Sequence, residues 1–171
     1  DDEVLLAGVL RTEKSSKKRD VRAAEDNVRR AREIATSLQG IIERLRGSNE
    51  HRIVAIAAEA YSPVRNSGAA AKVGITWGVI ATIAVAHGDL PIVQATPMEL
   101  KRRVAGNGTA SKDAVATALR RRYGEGALDG LLRGTPPSMH EHAYDALGAI
   151  AACLDAEVIR LARRMSAQGA P

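Results

Sequence analysis

Aromatic side chains are scarce in this chain of 171 residues: there is no phenylalanine, one tryptophan and three tyrosines. Cysteine is scarcer still. The single thiol, Cys153, excludes an internal disulfide and fits a reducing compartment such as the cytoplasm. Long hydrophobic runs are also lacking. The most apolar stretch, "VGITWGVIATIAVAHG", offers about fourteen apolar or small residues between Lys72 and His87, too few to cross a bilayer. It is expected as a buried core helix, with no membrane as partner. No secretory leader pattern, internal repeat or low-complexity tract is visible. The chain starts Asp1-Asp2-Glu3 without Met, so the native start is expected upstream.

What is present points to a globular protein. Hydrophobic residues make up 45%, and the length suits one domain over residues 1–171 with a sizeable core. A net charge of +5 and a pI near 9.7 favour a polyanionic partner.

One stretch poses a chemical question. "IVAIAAEAYSP", residues 53–63, is apolar until it meets a single acid, Glu59. A carboxylate inside a core costs several kcal/mol, as an order of magnitude, unless a proton, a partner or a metal compensates it. Tyr61 and the turn-forming Ser62-Pro63 follow, so Glu59 is expected at the C-terminal edge of a strand.

Strands and helices alternate along the chain. "EVLLAGVLRT" reads as a strand, followed by a basic loop and Asp20 as a helix cap. Val21, Ala24, Val28, Ala31, Ile34, Leu38, Ile41 and Leu45 recur at helical spacing up to Gly47. A strand over 52–59 precedes a loop through Asn66-Ser67-Gly68 and the apolar helix 69–87. "LPIVQAT" is a short strand. Thr96-Pro97-Met98-Glu99 is a capping box opening a helix to Gly106, and Ser111 caps another to Tyr123. Residues 124–137 read as a Gly-rich loop. Ser138 and Glu141 form a second capping box opening one long helix, with Ala143, Leu147, Ile150, Ala151, Leu154, Val158 and Leu161 facing inward. The order is that of a layered α/β fold, in which ligands gather at the C-terminal ends of strands.

Partners for Glu59 lie in "MHEHAYDALGAI". His142 and Asp145 are three apart and share a helical face that then turns apolar. If they converge on Glu59, the oxygen donors suit Mg²⁺, and one imidazole moves the preference towards Mn²⁺. The plainer reading leaves Asp145 favouring the helix dipole and His142 as a satisfied, half-buried histidine.

Three segments extend the picture. "AAEAYSPVRNSGAAAKVGITWGV", "ATPMELKRRVAGNGTASKDAV" and "HEHAYDALGAIAA" resemble, in order and spacing, the RuvC family of Holliday-junction resolvases. The resemblance runs from Val4 to about Arg164. It implies a ribonuclease H-like fold, with a mixed central sheet flanked by helices. It also implies a metal-dependent endonuclease that resolves four-way DNA junctions as a homodimer in recombination and repair, with a branch-migration motor as a further partner. Glu59, His142 and Asp145 match the family's catalytic and metal-ligating positions, and two Mg²⁺ ions are implied. Lys101 and Lys112 match basic DNA-binding positions. Arg65 is a further phosphate candidate, and Tyr61 is a candidate wedge against an opened base pair. The basic clusters at 17–19, 101–103, 120–122 and 163–164 are each otherwise read as solvated faces.

The pattern departs in one place. The family's first two strands, with a further catalytic Asp, would precede Val4, and Asp1 and Asp2 do not take that role. Two alternatives therefore stand beside the resolvase: a non-catalytic junction-binding protein of the same fold, and a nuclease for flaps or other branched DNA.

Overall fold

A computed structural model of the chain describes residues 3–15, 22–47, 51–60 and 66–168. Asp20, Lys17-Lys18-Arg19, Tyr61 and Arg65 lie outside the described residues. In chain order the elements are α1 (Ala23–Gly47), β1 (Ile56–Glu59), α2 (Ser67–Ala86), β2 (Ile92–Ala95), α3 (Pro97–Ala105), α4 (Lys112–Tyr123), α5 (Glu125–Leu131), a 3₁₀ turn (Pro137–Met139), α6 (His140–Cys153) and α7 (Glu157–Gln168). They fall into two compact units. One comprises residues 1–9, 57–60 and 93–161, the other 10–56, 61–92 and 162–171.

The first unit holds the larger core. Leu119, Leu128 and Leu132 are fully buried, with Leu100, Val115, Tyr144, Leu147 and Ala149 around them. Each fully buried Leu contributes roughly 1.5–3 kcal/mol of transfer free energy, which is why this cluster organises α3 to α6. The helices start where local chemistry dictates. Thr96 and Glu99 close a reciprocal capping box at α3, Pro97 stands in its first turn, and Gly106 ends it in the left-handed conformation (φ 75°). The Ser111 hydroxyl accepts from the Ala114 amide, 3.2 Å, and caps α4.

The two strands form a two-stranded sheet. The Ile56 amide bonds the Pro91 carbonyl and the Ala60 amide bonds the Ala95 carbonyl, a constant offset that makes the pair parallel. Cys153, at the end of α6, is buried and its thiol reaches the Val93 carbonyl at 3.7 Å. Burial pushes that thiol's pKa up, so Cys153 acts here as an apolar packing residue.

In the second unit α1 packs along α2. α1 carries Glu25 and Asp26 in its first turn and Arg44 and Arg46 in its last, matching the helix dipole. Arg29 pairs with both Asp26 and Glu33 along its surface. The Asn66 side chain accepts from the Gly68 and Ala69 amides and caps α2.

The structure corrects several expectations. Residues 3–12 form no strand: Val4, Ala7 and Val9 lean on the core, but no described strand pairs with their backbone. α2 is not a buried core helix. It is apolar all round, yet only Ile83 and Ala84 are buried, because α1 covers one side alone. By length and hydropathy α2 is also long and apolar enough to span a membrane, since Ser67 to Ala86 exceeds the run counted from Lys72. The 124–137 segment contains α5, which Leu128 anchors by its complete burial. Ser138 caps nothing; Met139 occupies the cap position of α6 and makes no side-chain bond there. The last helix is two helices. It breaks after Cys153, where Asp155 turns aside to pair with Arg103, and Ile150, Val158 and Leu161 are exposed rather than inward-facing.

α3 and α6 pack tightly where Leu100 faces Gly148. A Cβ on Gly148 would sit 2.7 Å from Leu100 Cδ2 and Cγ and 3.0 Å from Cδ1. Gly148→Ala is therefore expected to destabilise the fold by about 1–3 kcal/mol through overpacking. Adding Leu100→Ala should recover part of that loss, giving a favourable coupling in a urea-unfolding double-mutant cycle. Additive losses would show that the two helices do not meet there.

Candidate active site

Glu59 is the last residue of β1, at the C-terminal end of a parallel strand. Asp145 stands on α6, Lys101 on α3, and Lys112 is the first residue of α4. All four line one cavity of about 630 Å³. Four sequence-predicted residues thus meet, brought from four elements that are far apart in the chain. His142 does not line this cavity; it is exposed on α6, although its charge is felt at Asp145. A larger, open recess of about 750 Å³ follows α1 beside Val28 and Ser37, but Arg29 there is already matched by Asp26 and Glu33.

The electrostatics of the cavity follow from crowding. Glu59 has its pKa raised, first by lost hydration and then by the nearby Asp145 carboxylate, with Lys112 opposing. Asp145 is raised as well, again mainly by burial, with Lys112 working against the shift and Glu141 adding to it. Lys112 donates to Glu141 at 2.8 Å; this bond, then the charges of Asp145 and Glu59, raise its pKa above the ordinary lysine value. The site is a pair of partly dehydrated carboxylates with two lysines at hand.

Such a donor set suits a hard divalent cation. Two carboxylates, completed by water and phosphate oxygens, are the usual means of holding Mg²⁺. Among the described residues no group of three His, Cys, Asp or Glu side chains is placed to hold a metal ion. Glu59 and Asp145 are a pair of donors facing one cavity.

Sequence reasoning missed several cavity residues. Glu141 looked like a capping partner for Ser138 but serves as the ion-pair partner of Lys112. His140, Asp113, Tyr144 and Arg120 also line the cavity. A signal for Tyr144 existed: a rare aromatic directly before Asp145, four residues after His140.

Comparison with known proteins places the chain in a family and a fold. A family model described as "Crossover junction endodeoxyribonuclease RuvC" matches residues 5–154. A protein of that name from Moorella thermoacetica is 39% identical over 93 residues, which is 54% of this chain and 52% of the relative. Another from Natranaerobius thermophilus is 42% identical over 60 residues, covering 35% and 37%. The chain spans about half the length of the first of these relatives and less of the second. Among solved structures, the one titled T. thermophilus RuvC in complex with Holliday junction substrate matches with TM-score 0.59 and 27% identity. It covers 77% of this chain and 70% of its own. A second Thermus thermophilus RuvC structure matches with TM-score 0.56 over 85% of this chain and 75% of its own. The fold is the ribonuclease H-like α/β fold that these neighbours share.

The carboxylate pair makes stability depend on pH in a definite direction. Both groups bind protons more tightly in the folded chain than in the unfolded one. Their contribution to stability is then greatest below the unfolded carboxylate pKa and is lost as the pH rises through the raised folded values. Glu59→Gln should accordingly resist urea better than the unaltered chain at pH 7 in EDTA. The advantage should fade below about pH 4, where the carboxylates are largely protonated. An equal or lower stability at pH 7 would show that the two groups do not burden the fold.

Proposed function

We propose that this chain, which belongs to the crossover junction endodeoxyribonuclease RuvC family, is a metal-dependent endonuclease that hydrolyses phosphodiesters in four-way DNA junctions. The observation that carries this reading is the meeting of Glu59 and Asp145 at the C-terminal end of β1, in a cavity that also presents Lys101 and Lys112. Paired carboxylates beside lysines fit a phosphodiester far better than an apolar ligand.

The roles follow from the chemistry of each group. Glu59 and Asp145 would hold the divalent cation, Mg²⁺ or Mn²⁺, with two ions as the full complement. When bound, such ions lower the pKa of water and offset the charge that develops on the phosphate and the leaving oxygen. Lys101 and Lys112 hold the strand by its phosphates. Lys112 exchanges its Glu141 partner for DNA at little cost, since both side chains are largely exposed. His142, one turn before Asp145 but outside the cavity lining, would reach the site only by turning towards it, to orient water or join the ligand set. Tyr61 and Arg65, outside the described residues, are further candidates for contact with the junction. The 1–171 chain acts as one nuclease domain of a cytoplasmic homodimer, with the bare apolar flank of α2 as the dimer contact.

A non-catalytic junction-binding protein is the second reading. Its support is the absence, among the described residues, of a third side chain placed to complete a metal site.

Two variants separate the readings. Asp145→Asn should abolish Mg²⁺-dependent cleavage of a four-way junction while leaving binding in Ca²⁺ nearly intact. Lys112→Ala should weaken binding and reduce the slope of log affinity against log salt by about one. Uncut junctions with tight binding by the unaltered chain would favour the second reading. Equal loss of binding in both variants would assign Asp145 a structural role.

A further inference from the structure

We propose that Arg120 and Tyr144 form a second phosphate subsite in the same cavity, holding the phosphodiester that flanks the one at Glu59 and Asp145. The proposal rests on the nuclease reading, which supplies the strand. Tyr144 is 7% exposed, and its hydroxyl has no hydrogen-bond partner among the described residues. The Nε–H of Arg120 is likewise closed off from water and unpartnered among them. Buried donors left unpaired are rare in folded proteins, and each calls for a missing acceptor. Here two such donors belong to residues in contact, since the Arg120 guanidinium lies 5.7 Å from the centroid of the Tyr144 ring.

The geometry selects the class of ligand. A base stacked on Tyr144 is disfavoured, because Arg120 covers one face of the ring and His140 meets it edge-on at 6.5 Å. The hydroxyl is what remains to be satisfied. An N–H and an O–H beside a fixed positive charge match an anionic oxygen with several lone pairs, as a phosphodiester provides. Arg120 is also available. Its side chain is 39% exposed, and its contact to Asp129 is a long 3.4 Å, so a phosphate can replace that carboxylate. Position completes the case: Tyr144 immediately precedes Asp145, and Arg120, Tyr144 and Asp145 line one cavity.

The test uses the ¹⁵N-labelled chain and dithymidine monophosphate, a dinucleotide with a single phosphodiester. Its addition should shift the Arg120 Nε–H resonance saturably, and the uncharged methylphosphonate analogue should not. Arg120→Gln identifies the resonance by removing it. Tyr144→Phe keeps the ring and its packing and should weaken the dinucleotide about tenfold, the worth of one charge-assisted hydrogen bond. On four-way junctions in Ca²⁺, a methylphosphonate at the flanking linkage should weaken binding of the unaltered chain but not of Arg120→Gln. A resonance that ignores the dinucleotide, or that moves equally with the methylphosphonate, overturns the subsite whether or not junctions are cut. A specific shift in a chain that cuts no junction leaves the subsite standing and removes the nuclease reading instead.

Discussion

The isobutyl side chain of Leu100 lies where a β-carbon would stand on Gly148, and this contact sets the spacing of α3 and α6. The absence of a side chain at one position lets two helices come close enough for Lys101 on α3 and Asp145 on α6 to border the same cavity. Leu100 is itself buried among Leu119, Leu128 and Leu147, so the spacing is held from behind by the core. Any larger residue at 148 pushes against that core rather than against water. The chemistry of the site thus depends on an apolar contact one turn further along the same helix.

That packing brings together groups that repel. Glu59 and Asp145 share a partly dehydrated space, and lost hydration raises the pKa of both. Lys112 relieves part of the cost but is shared with Glu141. Folding thus leaves two partly dehydrated carboxylates near one another, and under the proposed function they would share a divalent cation. The same logic extends along the cavity to Arg120 and Tyr144, whose buried donors lack acceptors among the described residues. One end of the site calls for positive charge and the other for a negatively charged oxygen. Under the proposed function, a phosphodiester strand with its divalent cation would supply both.

The second unit presents a different imbalance. α2 is apolar on every side, while α1, with no fully buried residue of its own, covers only part of it. Helices of that composition are normally enclosed. Val85 on α2 is exposed all the same.

Local chemistry alone determined much of this protein. The Thr96–Glu99 capping box, the Ser111 cap, α1 to its end at Gly47 and the strand terminating in Glu59 all follow from residues within a few positions of one another. The acid closing an apolar run and the acid opening an apolar helix, Glu59 and Asp145, are anomalies visible in one dimension, although the residues alone leave Asp145 equally explained by the helix dipole. Long-range contacts decided the rest. Whether 3–12 pairs as a strand depends on a neighbour, and none among the described residues is placed beside it. The Gly-rich stretch after Gly124 coils into α5 because Leu128 finds a buried slot, a gain that outweighs the poor helix propensity of Gly126 and Gly130. The break after Cys153 comes with an ion pair between Asp155 and Arg103, some fifty residues apart, which no local pattern announces. The same holds for Glu141, which reads locally as a cap and is recruited by Lys112, and for Tyr144 and Arg120, which meet only when α4 packs on α6. Propensities and caps act over a single turn, whereas ion pairs, burial and unsatisfied donors depend on which distant residues the core brings into contact.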